Sequence, residues 1–363
     1  MTDSAARILN IGRRAMEGNL RTEIVEGLQA NPAQLPSLLL WDDEGLRLFN
    51  RLAQSKPYYL GSKEGEILKK HVAAIAAQIP SGAVIIELGC GDLYKTRLIL
   101  SALEQQRRAV SYLALDVSAQ ELSTSLDALE QEFVGTALID IRGLHGTYDD
   151  CAHWISQGAS LGKNVIFLWM GNSMTNGGFD GAQAVLRDAA AACKRNGLGV
   201  QFLVSCDACQ DPVRLMAAYD ADAPRLREFI LHGLDNANRV LGRPVFQPAD
   251  WAVHAQYDAK HSMVDVSYTP IRELVLYVED GRPPVSLQPG AKVRAITSGK
   301  WSSRQMDAVA HGAHLQVEQT WMDDDRIYAF HLLRPQTRAK CSVCPPVSST
   351  WTVPERPSSV RIS

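Results

Sequence analysis

The sequence predicts an α/β protein built on a doubly wound, mostly parallel sheet. Three observations predict it. Between residues 83 and 205, five apolar runs with strand character (VIIEL, SYLALD, TALIDI, NVIFLWM, GVQFLVS) alternate with helical or loop segments. That rhythm implies parallel strands joined by right-handed crossovers. The first strand breaks into a glycine turn and then a helix, VIIELGCGDLYKTR, and the second ends in an acid, Asp116. Late in the chain, LQVEQTWMDDDRIYAFHLL reads as two strands joined by an acidic turn at Asp323–Asp325, a hairpin that supplies strands six and seven.

The elements follow in order. Residues 5–35 carry short helical patterns, and LPSLLLWDDEGLRLFNRLAQ continues in helical period with a break at DDEG. KPYYLGSKEGEILKKHVAAIAAQI is a loop and a long helix, with Ser62 as N-cap. After the five α/β strands, a helical block at DPVRLMAAYDADAPRLREFILHGLDNANRVLG precedes strand-like runs in AQYDAKHSMVDVSYTP, RELVLYVED and VRAITSG. This places a smaller α+β unit at 210–301, inserted into a nucleotide-type domain at 63–209 and 302–335. Residues 1–62 form a helical part of the substrate domain, and the Pro/Ser-rich tail at 336–363 is expected to be disordered.

The 363 residues are 46% hydrophobic with a net charge of −3, so a sizeable core is available. Nothing favours a nucleic-acid or membrane surface. No apolar run approaches the ~20 residues of a membrane span, and the N-terminus lacks a hydrophobic signal core. A cytoplasmic monomer acting on a small molecule is expected. Seven cysteines, an odd number, fit a reducing compartment. The pairs Cys206/Cys209 and Cys341/Cys344 have zinc-ligand spacing, but they lie more than a hundred residues apart and read as free thiols. No metal is expected.

Glu87, Gly89, Gly91 and Asp116 carry the chemical signal. Glycines let backbone approach a ligand, and an acid at the end of the second strand can accept from two ribose hydroxyls. A dinucleotide fingerprint wants a third glycine at position 94, where this chain has Tyr94. S-adenosylmethionine (SAM), with a ribose and an amino-acid tail but no pyrophosphate, fits better; a plain structural turn or another nucleotide are the alternatives. A parallel sheet ending in an antiparallel hairpin is also the layout of the class I SAM-dependent methyltransferase fold, a Rossmann-like seven-stranded sheet.

Several motifs in order resemble one family: PYYLGSKEGEILKKH, ELGCGDLYKTRLILSALE, YLALDVS, LHGTYDD, FLWMGNSMTN, AAYD, GLDNANRVLG and VRAITSGKW. The chain resembles the ergothioneine-type histidine N-α-methyltransferases, and in LHGTYDD and GLDNANRVLG their fungal branch, which includes tryptophan and dimethylallyltryptophan N-methyltransferases. The resemblance spans about residues 20–335 and implies the following roles. Gly89 contacts SAM, Lys95 lies near its carboxylate and Asp116 holds its ribose. Thr147 and Tyr148 stand where the family has an acid and an aromatic beside the adenine, so a threonine hydroxyl or backbone N–H must replace the acid. Tyr59 closes over the amino-acid substrate, Asn176 holds its amine and carboxylate, and Tyr219 is a second carboxylate ligand.

The resemblance also marks a departure. Histidine-specific members place a glutamate and a serine four and two residues before the lysine of the late strand. Counting from Lys300 gives Ile296 and Ser298. A site built to hydrogen-bond a substrate N–H rejects analogues lacking it, and losing the acceptor removes that discrimination. An apolar residue makes room for an indole, and Trp41 could add a stacking wall. The expected activity is SAM-dependent α-N-methylation of an aromatic amino acid, tryptophan first, by one to three transfers. Histidine and dimethylallyltryptophan are alternative substrates. A non-catalytic SAM- or amino-acid-binding protein is the alternative from another class.

Overall fold

Side chains on the central strands alternate between two buried faces, and that alternation builds the molecule. Ile85, Tyr112, Ala114, Ile166 and Leu168 pack into one apolar cluster, while Val84, Ile86, Leu113, Leu115, Val165 and Phe167 pack into another. A sheet buried on both faces needs helices on both. The computed structural model describes residues 7–13, 16–91 and 93–336, and of residues 16–18 the backbone alone.

The chain begins with β1 (Ile8–Asn10), α1 (Met16–Gln29), α2 (Asp43–Ala53) and α3 (Leu60–Ala76). The α/β alternation follows as β2 (Ala83–Leu88), α4 (Tyr94–Gln105), β3 (Val110–Asp116), α5 (Ala119–Glu132), β4 (Ile139–His145), α6 (Tyr148–Ser156), β5 (Asn164–Trp169), α7 (Gly178–Arg195) and β6 (Gly199–Asp207). Next come α8 (Pro212–Ala218), α9 (Pro224–Leu241), β7 (Trp251–Asp258), β8 (Met263–Pro270), β9 (Leu274–Leu276), β10 (Val285–Leu287) and β11 (Val293–Gly299). The sheet is completed by α10 (Ser303–Gly312), β12 (Leu315–Met322) and β13 (Tyr328–Pro335).

The main sheet runs β1-β4-β3-β2-β5-β6-β13-β12. The first five pairings are parallel, and β13 and β12 close the far edge antiparallel. The seven expected strands are present with the expected class I order. An eighth, β1, pairs with β4, where the sequence reads as helix. Its three residues are too short to show periodicity. From β2 the chain winds outward to β3 and β4, then returns to β5 on the other side. That reversal leaves a crevice beyond the carboxyl ends of β2 and β5, where ligands bind in open α/β sheets.

The second unit is the antiparallel sheet β11-β8-β7, with α9 packed on β7. The N-terminal region joins it: α2 and the 3-10 turn Ser37–Leu40 pack on α9, and Gln34 bridges to Arg294. One apolar cluster runs from α3 and α4 through α9 to β8 without a break.

Local expectations need one correction. Helix α3 starts at Leu60, not after Ser62, whose hydroxyl donates to the Tyr59 carbonyl inside the first turn. The break at DDEG stands, with the Asp42 side chain accepting from the Gly45 N–H as the cap of α2. The acidic turn is only partly solvated. Asp323 is buried and accepts from the Ile327 and Tyr328 N–H groups at 2.8 Å each, while Lys63 reaches it at 3.3 Å.

Cys206 and Cys209 are buried free thiols, and no cluster of metal-ligating side chains occurs among the described residues. Cys341, Cys344 and nearly all of the tail expected to be disordered lie outside the described residues. Among the described residues no helix is long and apolar enough to cross a membrane.

Candidate active site

A cavity of about 940 Å³ opens at the crevice and extends toward the second unit. It has two chemically distinct halves.

The first half is built by the turns after β2, β3 and β4. Glu87 is buried at the end of β2, and its carboxylate accepts from the Thr96 hydroxyl and the Tyr112 phenol. Burial pushes its pKa up to about 7, against the pull of those two donors. Gly89 follows at φ +72°, where a Cβ would sit 3.0 Å from the Tyr148 hydroxyl; Gly91 has φ +55°. Both turns need glycine's freedom. Asp116, at the end of β3, lines the cavity. Its Oδ1 accepts from the Ser118 N–H at 3.2 Å, and the Cys90 thiol lies 3.7 Å from Oδ2. Burial raises its pKa, and the backbone donors oppose the rise.

Lys95 also lines the cavity, with its ammonium 2.7 Å from Glu64 Oε2. Glu64, buried on α3, is a central contact that sequence reading missed. Its Oε1 accepts from the Gly171 N–H at 2.7 Å and from the Ser205 hydroxyl. It thereby ties α3 to Lys95, to the turn after β5 and to β6. One glutamate in an amphipathic helix carries no local sign of this.

Tyr148 lines the cavity and stands edge-on to Trp169, ring centroids 5.4 Å apart. Thr147 lines the cavity with both of its donors committed inside the turn. Its N–H and its hydroxyl both donate to Asp150 Oδ2 (3.1 and 2.8 Å) in the capping box that starts α6. Asp150 Oδ1 is taken by Arg13 at 2.9 Å. The acid of this turn that faces the cavity with no such partner assigned is Asp149.

The second half is assembled from distant segments. Trp41, Phe49, Tyr58, Tyr219, Phe229, Ile296, Ser298 and Asn176 all line it. Their rings are in mutual contact: Trp41–Phe49 at 5.1 Å, Trp41–Phe229 at 5.3 Å, Phe49–Phe229 at 5.5 Å and Tyr58–Tyr219 at 5.7 Å. Of these, Phe49 and Phe229 were not singled out, because in sequence they are ordinary apolar positions of α2 and α9. Asn176 lines the cavity, and its backbone carbonyl accepts from the Thr297 hydroxyl at 2.6 Å.

Tyr59 is a correction. It does not line the cavity. Its hydroxyl donates to Asp207 Oδ2 at 2.7 Å, and burial beside that carboxylate pushes its pKa far above the tyrosine range. Adjacent residues at the start of a helix point in different directions, and it is Tyr58 that faces the cavity. The site also includes Asn172, at φ +63°, whose Oδ1 accepts from the Asp207 N–H and whose Nδ2 donates to Ser298 Oγ.

The residues of the first half fit SAM. Glycine turns sit where added side chains would fill the cleft, an acid ends β3, and a lysine stands beside the turn after β5. Comparison with known proteins agrees. Residues 20–335 match the family described as histidine-specific methyltransferase, SAM-dependent. The N-methyltransferase dtpB of Aspergillus flavus is 41% identical over 328 residues, covering 90% of this chain and 91% of its own. The N-methyltransferase benX of Aspergillus terreus is 42% identical over 336 residues, covering 91% and 92%. Ergothioneine biosynthesis protein 1 of Neurospora crassa is 34% identical over 355 residues, 97% of this chain but 39% of its own length. The chain therefore belongs to the SAM-dependent, histidine-specific methyltransferase family, and within it stands beside the fungal N-methyltransferases.

Proposed function

We propose that the protein methylates the α-amine of an aromatic amino acid, tryptophan first, at the expense of SAM. The observation that carries the reading is the aromatic half of the cavity. Trp41, Phe49, Tyr58 and Phe229 enclose it, and Ile296 stands at the position where the histidine-specific pattern has a carboxylate. The acids on the cavity wall are Glu87, Asp116, Asp149 and Asp150 at the cofactor end, and Glu23, exposed on α1. An indole offers one N–H and a wide apolar face to such a wall; an imidazole would leave its polar nitrogens without a charged partner.

SAM supplies a methyl group on a sulfonium, a leaving group good enough that the protein's task is alignment and exclusion of water. Asn176 and the phenols of Tyr58 and Tyr219 orient the amine and carboxylate. An enclosed apolar site disfavours the ammonium and so raises the fraction of amine able to attack. No strong base is required. The nitrogen loses its proton to solvent between transfers.

The test is incubation with SAM and, separately, tryptophan, histidine and dimethylallyltryptophan, followed by mass spectrometry. Gains of one or more methyl groups on tryptophan are expected. Methylation of histidine alone would overturn the aromatic reading, and S-adenosylhomocysteine binding without any methylated product would favour a binding protein.

A further inference from the structure

Behind the aromatic half lies a buried charge network whose hydrogens can be counted. Lys300 is fully buried, and its ammonium donates to Asp207 Oδ2 (2.9 Å), Tyr219 Oη (3.0 Å) and Ser298 Oγ (3.0 Å), which uses all three of its hydrogens. Asp207 is satisfied as well. Tyr59 donates to Oδ2, and the Cys209 N–H donates to Oδ1 at 2.9 Å.

The orientation of Asn172 is fixed without ambiguity. The Asp207 N–H can only donate, so the atom it meets at 2.9 Å is the amide oxygen, and the amide nitrogen must face Ser298 at 3.0 Å. Ser298 Oγ thus accepts twice, from Asn172 and from Lys300. Its own hydrogen has one acceptor left, Tyr219 Oη at 2.8 Å. Tyr219 Oη then accepts from Lys300 and from Ser298, which fills both acceptor positions. Its hydrogen is left for the cavity, which Tyr219 lines beside Tyr58, ring centroids 5.7 Å apart.

We infer that the Lys300–Asp207 pair is a positioning device that makes Tyr219 a donor-only group, matched to the substrate carboxylate and closed to its amine. An ammonium would find no lone pair on Tyr219; a carboxylate finds a hydrogen polarised by a buried cation, which also lies 4.6 Å from the centroid of the Tyr219 ring. Lys300, Asp207 and Asn172 act through Tyr219 and Ser298. This inference rests on the proposed amino-acid substrate.

The experiment compares tryptophan with tryptamine, which keeps the amine and loses the carboxylate. Equilibrium binding of each is measured in the presence of S-adenosylhomocysteine, for the unaltered protein and for Lys300→Met. The unaltered protein should prefer tryptophan by roughly tenfold or more, the scale of a hydrogen bond to a charged group. Lys300→Met should bring the ratio toward one, mainly by weakening tryptophan. Tyr219→Phe should do the same. If Lys300→Met fails to fold, as judged by circular dichroism, Lys300→Gln is read in the same assay. A folded Lys300 variant that keeps the full ratio overturns the inference. Equal binding of the two ligands by the unaltered protein overturns the amino-acid reading beneath it.

Discussion

The two halves of the cavity are built in opposite ways. The cofactor half comes from contiguous strand–turn units: Glu87 to Lys95 span nine residues, and Asp116 ends the very next strand. The substrate half draws on α2, the start of α3, the turn after β5, the end of α8, α9 and β11. Local backbone rules decide the first half, because a glycine at φ +72° and an acid at a strand end are set by a few neighbouring residues. Long-range packing decides the second. A substitution in one half should therefore leave the other half's ligand largely undisturbed.

The largest expected effect tests that division. Asn176→Ala should lower kcat/KM by about 100-fold, the usual scale for lost alignment of a reacting group, while S-adenosylhomocysteine affinity measured by calorimetry stays within about twofold. Loss of both would mean that the halves are not separable. Next is Ile296→Glu, which restores the carboxylate of the histidine-specific pattern. The ratio of tryptophan to histidine turnover should fall by roughly tenfold or more in competition assays. An unchanged ratio would place the determinant on the aromatic wall instead.

The neighbouring tyrosines sharpen the boundary. Tyr58→Phe should raise KM several-fold with little effect on the melting temperature. Tyr59→Phe should do the reverse, costing about 1–3 kcal/mol by removing a donor from buried Asp207 while KM stays near its original value. The smallest effect concerns Glu87. Its folded pKa, about 7, lies above its unfolded value of 4.5. The corresponding stability is fully present below pH 4.5 and is lost as pH rises through 7. Glu87→Gln should flatten the decline in melting temperature across that window, and an undiminished decline would point to another group.

This contrast also explains what could be read in advance. The parallel sheet, the terminal hairpin and the residues Gly89, Gly91 and Asp116 follow from periodicity and spacing, whereas Lys95 and Tyr148 need the family motifs. Trp41, Tyr219, Ile296 and Ser298 needed those motifs, and the structure brings all four to one wall. Tyr58 and Tyr59 could not be told apart, because which of two adjacent tyrosines turns inward depends on where α3 begins. Thr147 looked free because a capping box is a three-dimensional commitment, made to Asp150. Glu64, Asn172 and Asp207 were invisible for a related reason: each is a polar residue whose meaning lies in partners 31 to 148 positions away. The strand β1 was missed because three residues are no pattern.

That short strand has a practical consequence. The family match begins at residue 20, yet β1 covers the outer edge of β4, Arg7 anchors it to Asp127 and Glu130 on α5, and Arg13 locks onto Asp150. A protein trimmed to the matched region would leave the backbone donors and acceptors of β4 bare along one side. Bare strand edges recruit strands from other molecules, so the trimmed form should self-associate in solution even though every cavity residue assigned to the substrate half is still present.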